Sequence, residues 1–162
     1  MTTLEHTLGE LLKRRGLMLA VAESATGGRI ADRLTNVSGS SAYFLGGVVA
    51  YDNQAKVRLL GVAQETLERF GAVSPETAQE MAQGVRTLFA AEVGLSSTGI
   101  AGPTGATPQK PVGLVFIGVA SPRGVHAQQF LCQGSREENK EAFTQAALTL
   151  LREELEKWSS GG

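Results

Sequence analysis

A single cysteine, Cys132, and two histidines, His6 and His126, are all the thiol and imidazole ligands that 162 residues carry. One cysteine allows no intramolecular disulfide, so a reducing, cytoplasmic compartment is expected. The histidines lie far apart and neither CxxC nor HExxH spacing occurs. A metal site would have to be assembled from scattered residues or across subunits, and none is expected. An excess of charge of one sign is lacking as well. Fifteen Lys+Arg stand against 16 Asp+Glu, which leaves no basic surplus for a protein held on nucleic acid through phosphates. A local anion pocket remains compatible with that balance. No basic stretch followed by a long apolar run opens the sequence, so neither a secretory leader nor a membrane-spanning helix is expected. GxGxxG and GxxxxGK[ST] are absent too, which argues against dinucleotide and nucleoside triphosphate sites. Without internal repeats or a linker, the length suits one domain over residues 1–162, with 159–162 read as a frayed tail.

What is present is patterned. Leu4, Leu8, Leu11 and Leu12 recur at helical spacing before Arg15 and Gly16, predicting an opening amphipathic helix. Residues 17–22 read as a short buried strand, 23–28 as a small polar turn and 29–34 as helix again. The apolar, β-prone residues 44–51 predict an interior strand in which Gly46 and Gly47 mark a close backbone approach or a bulge. Asp52 and Asn53 suit the cap of a helix running to Gly61, and a short helix follows over 64–70. Ser74-Pro75-Glu76 starts another, whose apolar stripe is Ala78, Met81, Ala82, Val85, Leu88 and Phe89. Residues 93–98 form a strand running into a Gly- and Pro-rich loop that lasts to Pro111. Residues 112–120 and 125–132 pair as a hairpin about Ser121-Pro122-Arg123-Gly124, and a last helix spans 136–158. Strands alternating with helices, then a hairpin, predict an α/β fold with a mixed, mostly parallel sheet and helices on both faces.

In such a sheet, ligands gather where loops leave the carboxyl ends of strands. Three loops qualify, at residues 23–28, 51–53 and 98–105. Ordinary turn chemistry explains any one of them, but three opening on small polar residues in one chain point to a shared site. Ser24, just before a helix, is a candidate nucleophile; the alternative is that Ser24 or Thr26 is an N-cap. Lys56 falls in the first turn of its helix, where the macrodipole disfavours a cation. That makes it a candidate general base, with an exposed lysine reaching water as the alternative. The Tyr51 hydroxyl suits polarising a neighbouring serine or shuttling a proton, unless the ring merely packs at a rim. Residues 99–105 suit the presentation of consecutive amides to a phosphate, and Arg136 either reaches an anion or lies solvated. Candidate substrate contacts are Thr26, Gly27 and Gly28 in the first loop, Thr98, Gly99 and Gly102 in the third, and Arg136.

The segments Glu23-Ser24-Ala25-Thr26-Gly27-Gly28, Gly39-Ser40-Ser41-Ala42-Tyr43-Phe44-Leu45-Gly46-Gly47-Val48-Val49-Ala50-Tyr51, Lys56-Val57-Arg58-Leu59-Leu60-Gly61-Val62 and Thr98-Gly99-Ile100-Ala101-Gly102-Pro103 closely resemble the C-terminal domain of the CinA family. That domain also occurs alone, as a nicotinamide mononucleotide deamidase. The likeness runs over residues 3–158. It implies a three-layer α/β/α sandwich on a mixed sheet. It also implies hydrolysis of nicotinamide mononucleotide to nicotinic acid mononucleotide and ammonia, in pyridine nucleotide recycling, with no metal or organic cofactor. The family's catalytic serine, tyrosine and lysine fall on Ser24, Tyr51 and Lys56, a substrate-site threonine on Thr98, and the arginine before the last helix on Arg136. Two positions depart from the pattern: Ala25 stands where many members have Cys, and Lys140 where many have a second arginine.

The mechanism expected from these residues is attack by Ser24 on the carboxamide carbon, with Lys56 and Tyr51 moving the proton and the helix start near Gly27-Gly28 supplying oxyanion donors. The phosphate would sit in the 98–105 loop or against Arg136. A pyridine-nucleotide-binding module without chemistry is the rival reading. A nucleotide-dependent oxidoreductase and a purely structural partner protein rank below it. A homodimer is the expected assembly, with the apolar Tyr43-Phe44-Leu45 stretch as a candidate contact.

Overall fold

A leucine-rich helix near the amino terminus sets the first layer. In α1 (Leu4–Arg15), Leu8, Leu11 and Leu12 face inward, Thr3 caps the start by accepting from the His6 amide, and Gly16 ends the helix in the left-handed conformation. The computed structural model describes residues 2–158, so the tail expected over 159–162 lies outside the described residues. Strand β1 (Leu19–Glu23) is buried along its whole length. Its side chains alternate between two apolar clusters: Leu19 and Val21 pack on one face of the sheet, Ala20 and Ala22 on the other. Next come α2 (Arg29–Thr35), β2 (Phe44–Val49), α3 (Asn53–Leu60), α4 (Gln64–Phe70), α5 (Pro75–Phe89), β3 (Val93–Gly99), β4 (Leu114–Ser121), β5 (Gly124–Leu131) and α6 (Arg136–Trp158).

The five strands order as β2-β1-β3-β4-β5. β1 pairs parallel with β2 and with β3, whereas β3–β4 and β4–β5 are antiparallel. The sheet is mixed, and every strand except β4 points the same way. Helices α1, α2 and α6 cover the face that carries Val21, Leu95 and Ile117, and α3, α4 and α5 cover the face that carries Ala20 and Ala22. The result is an α/β fold of three layers.

Two expectations need correction. Strand β2 is an edge strand, bonded to β1 alone, with half-buried and exposed residues alternating. Its apolar run reflects one covered face and two glycines set against β1 rather than burial on both sides. A Cβ on Gly47 would lie 2.6 Å from the Val21 carbonyl oxygen, and the β1–β2 register shifts between Leu19 and Ala20. The second correction concerns Tyr43, which belongs to the core at 3% exposure, its ring set against Gly9 of α1. Of the stretch considered for a dimer contact, only Leu45 is exposed.

Candidate functional site

Because β1, β2, β3 and β5 point one way, the segments after their carboxyl ends converge on one end of the sheet. They enclose a hollow of about 340 Å³ walled by Ser24 and Ala25 after β1, by Tyr51, Asn53 and Lys56 after β2, by residues from Thr98 to Ala101 with Thr104 and Gly105 after β3, and by Arg136 opening α6. A larger hollow of about 570 Å³ lies between α3 and α5, but Glu80 is its one ionisable wall residue, already bonded to the Ala63 amide and the Thr66 hydroxyl.

Lys56 is the unusual group in the smaller hollow. It is 1% exposed, so the alternative of a lysine reaching water does not apply. Its Nζ donates to Ser24 Oγ at 3.0 Å, to the Ala50 carbonyl at 2.9 Å and to the Tyr51 carbonyl at 3.0 Å. Burial pulls its pKa from 10.5 down to about 8, with the nearby Asp52 carboxylate opposing that fall. Asp52 also caps α3 by accepting from the Gln54 amide. Three acceptors satisfy an ammonium; a neutral amine has only two hydrogens. Since the two carbonyls can only accept, deprotonation leaves the nitrogen lone pair facing the Ser24 hydroxyl.

Ser24 is held from both sides: its amide donates to the Ser97 carbonyl and its carbonyl accepts from the Gly27 amide. The helix start beyond it is closed. Glu23 ends β1 with its side chain 1% exposed. Its carboxylate accepts from the Thr26 hydroxyl and from the amides of Gly28, Ile30 and Ala31. Thr26, Gly27 and Gly28 do not wall the hollow, and the amides expected to serve an oxyanion there are already engaged, that of Gly28 by the Glu23 carboxylate and that of Gly27 by the Ser24 carbonyl. Sequence reasoning missed Glu23, although a glutamate ending an apolar strand before a small-residue turn is a usable signal for a carboxylate that caps the next helix.

The remaining candidates divide. Thr98 walls the hollow while its hydroxyl donates to the Ala72 carbonyl at 2.7 Å. Gly99 also borders it, yet a Cβ there would lie 2.7 Å from the Leu114 carbonyl oxygen, so packing on β4 already accounts for this glycine. The Ile100 amide donates to the same carbonyl and is not open to a phosphate. Gly102 lies off the hollow, at φ 85° and joined to Pro103 by a cis peptide; its carbonyl accepts from Arg136 at 2.8 Å. Arg136 donates through its other nitrogen to the Tyr51 phenol at 3.2 Å. Tyr51 thus reaches Lys56 through its carbonyl, and its exposed ring reaches Arg136. Asn139, a buried residue the sequence reading passed over, ties α6 to the same loop by donating to the Ala101 and Gly134 carbonyls. Ala72 and Val73, between α4 and α5, complete the wall; nothing in their local pattern marks them.

Among the described residues no cluster of three or more His, Cys, Asp and Glu is placed to hold a metal ion, and no helix is long and apolar enough to cross a membrane.

Residues 1–155 match the family described as the CinA C-terminal domain. A CinA-like protein of Chloroherpeton thalassium is 54% identical over 156 residues, which are 94% of this chain and 37% of that protein. The chain thus spans little more than a third of the length of that relative. Among solved structures, a competence-damaged protein (CinA) superfamily protein from Klebsiella pneumoniae superposes with a TM-score of 0.92 at 32% identity, covering 96% of this chain and 97% of the other. The competence/damage inducible protein CihA from Agrobacterium tumefaciens gives a TM-score of 0.83 at 41% identity, with 93% and 97% covered.

Proposed function

The chain belongs to the CinA family, as a C-terminal domain of that family, and from that premise we propose that it is an amidohydrolase converting the carboxamide of nicotinamide mononucleotide to a carboxylate, with release of ammonia. The observation that carries the reading is the buried Lys56 Nζ, 3.0 Å from Ser24 Oγ in a strand-end hollow. Pairing a hydroxyl with a desolvated amine is a means of making a weak nucleophile attack near neutral pH.

In the first half-reaction, neutral Lys56 takes the Ser24 proton as Oγ bonds to the carboxamide carbon. The resulting ammonium returns a proton to the amide nitrogen, the C–N bond breaks and ammonia leaves an acyl ester on Ser24. In the second, Lys56 deprotonates a water that attacks the ester carbon. Ser24 leaves with the proton, and the nicotinate nucleotide is freed. A planar amide is a poor electrophile, so each half-reaction needs donors for its oxyanion, each contributing about 2.7–4 kcal/mol in comparable acyl-transfer sites. The amide of Ala25, next to the nucleophile and in the wall of the hollow, is the candidate donor. It donates to no backbone carbonyl among the described residues.

The test is ammonia release from nicotinamide mononucleotide by the purified chain, with Ser24→Ala beside it. The variant is expected to lose several orders of magnitude in kcat. Turnover that survives the substitution refutes Ser24 as the attacking group.

A further inference from the structure

Glu23 lies beside the reactive pair without touching the hollow, and its bonding is more than helix capping needs. The Thr26 hydroxyl gives its only hydrogen to Glu23 Oε1 at 2.6 Å. At the 2.8 Å contact between Thr26 Oγ1 and Ser97 Oγ, Ser97 must then be the donor. The same Ser97 accepts the Ser24 amide on its carbonyl. A ring closes around Ser24: from its amide to the Ser97 carbonyl, from the Ser97 hydroxyl to Thr26, from Thr26 to the Glu23 carboxylate, and through the backbone to Ser24 again. Glu23 also reaches the other partner. Its carbonyl accepts from the Ala50 amide at 2.8 Å, and the Ala50 carbonyl holds Lys56 Nζ.

We propose that Glu23 is a positioning residue. Acting through Thr26 and Ser97, its buried carboxylate fixes the 24–28 turn in the one shape that sets the Ser24 hydroxyl on the Lys56 amine. The proposal rests on the reading of Ser24 as nucleophile. A carboxylate is required because all four of its partners are donors. However a glutamine amide turned in this place, its NH2 would meet an N–H or O–H.

Two variants test it. Glu23→Gln keeps the shape and mismatches the donors. Thr26→Val leaves the carboxylate and its three amides in place, so the turn stays capped, and removes the hydroxyl that links Glu23 to Ser97, with both of its hydrogen bonds. Each is expected to lower kcat roughly 10²-fold, the scale of an ångström-sized misplacement, with KM for the mononucleotide held within about twofold. Crystal structures of the variants should have Ser24 Oγ off Lys56 Nζ. A folded Thr26→Val protein with wild-type kcat and an intact Ser24–Lys56 contact overturns the proposal, whatever its melting temperature. Should the wild type release no ammonia, the functional reading fails by itself, and the crystallographic contact still decides the positioning role.

Discussion

The Tyr51 phenol and the Arg136 guanidinium meet 3.2 Å apart at the mouth of the hollow, while the Tyr51 main-chain carbonyl holds Lys56 Nζ at its floor. One residue therefore serves two places through two different groups. Substitution of the side chain separates them. Tyr51→Phe removes only the phenol and leaves the lysine's acceptor untouched. A hydrogen bond to a charged group contributes about 1.5–3 kcal/mol, so kcat/KM is expected to fall roughly 10- to 100-fold, mostly through KM. Steady-state kinetics on the mononucleotide checks this. A kcat loss as deep as that of Ser24→Ala would instead put the phenol into the proton transfer.

Arg136 is the cation in the wall with its charge at the open side of the hollow. A substrate phosphate placed there would replace or join the Tyr51 contact. Arg136→Ala is then expected to raise KM for the mononucleotide roughly 10- to 100-fold, the scale of one charge-assisted contact, and to leave turnover of nicotinamide riboside, which has no phosphate, unchanged. Comparing kcat/KM for the two substrates in both proteins measures the effect. An equal loss on both assigns Arg136 to the geometry of Tyr51 and Gly102 rather than to the anion.

Elements that announce themselves by local chemistry are legible in the sequence. Ser74 before Pro75 starts α5, with the Ser74 hydroxyl accepting from the Thr77 amide, and Gly61 ends α3 in the left-handed conformation. The edge position of β2 is not legible, because Gly46 and Gly47 read alike whether they approach a neighbour on one side or on both. Lys56 shows the same division. Periodicity places it in the first turn of α3, but its burial depends on the Ala50 and Tyr51 carbonyls turning toward it, and no spacing rule encodes that. The oxyanion expectation at Gly27-Gly28 fails for a related reason. Free amides at a helix start are a local inference, and the Glu23 side chain that fills them belongs to the preceding strand.

Burial sets the pH response. In the proposed mechanism the base is the neutral Lys56 amine, and burial brings the pKa of its ammonium down to about 8. kcat/KM should therefore rise with pH through about 8 and level off above it. Asp52 is the charge that opposes the fall, and asparagine in its place still accepts from the Gln54 amide. Asp52→Asn should accordingly move the rising limb to lower pH while α3 stays capped. A limb that stays put or moves upward contradicts the assignment of Lys56 as the titrating base.

The seat of α3, and with it of Lys56, depends on a glycine inside α5. A Cβ at Gly84 would lie 1.8 Å from the Leu60 carbonyl oxygen, a backbone atom that cannot swing aside as a side chain would. Helix propensity alone favours alanine over glycine by about 1 kcal/mol. Against that, forcing a methyl into a filled contact costs typically 1–3 kcal/mol and more where backbone must move. The clash should win, so Gly84→Ala is expected to lower the melting temperature by several degrees, at roughly 2–4 °C per kcal/mol for a chain of this size. Because Leu60 ends the same helix that carries Lys56, kcat at a temperature where the variant is fully folded should fall as well. Calorimetry and ammonia release on the same preparation read the two effects. A more stable Gly84→Ala protein would mean that α3 and α5 can separate without cost.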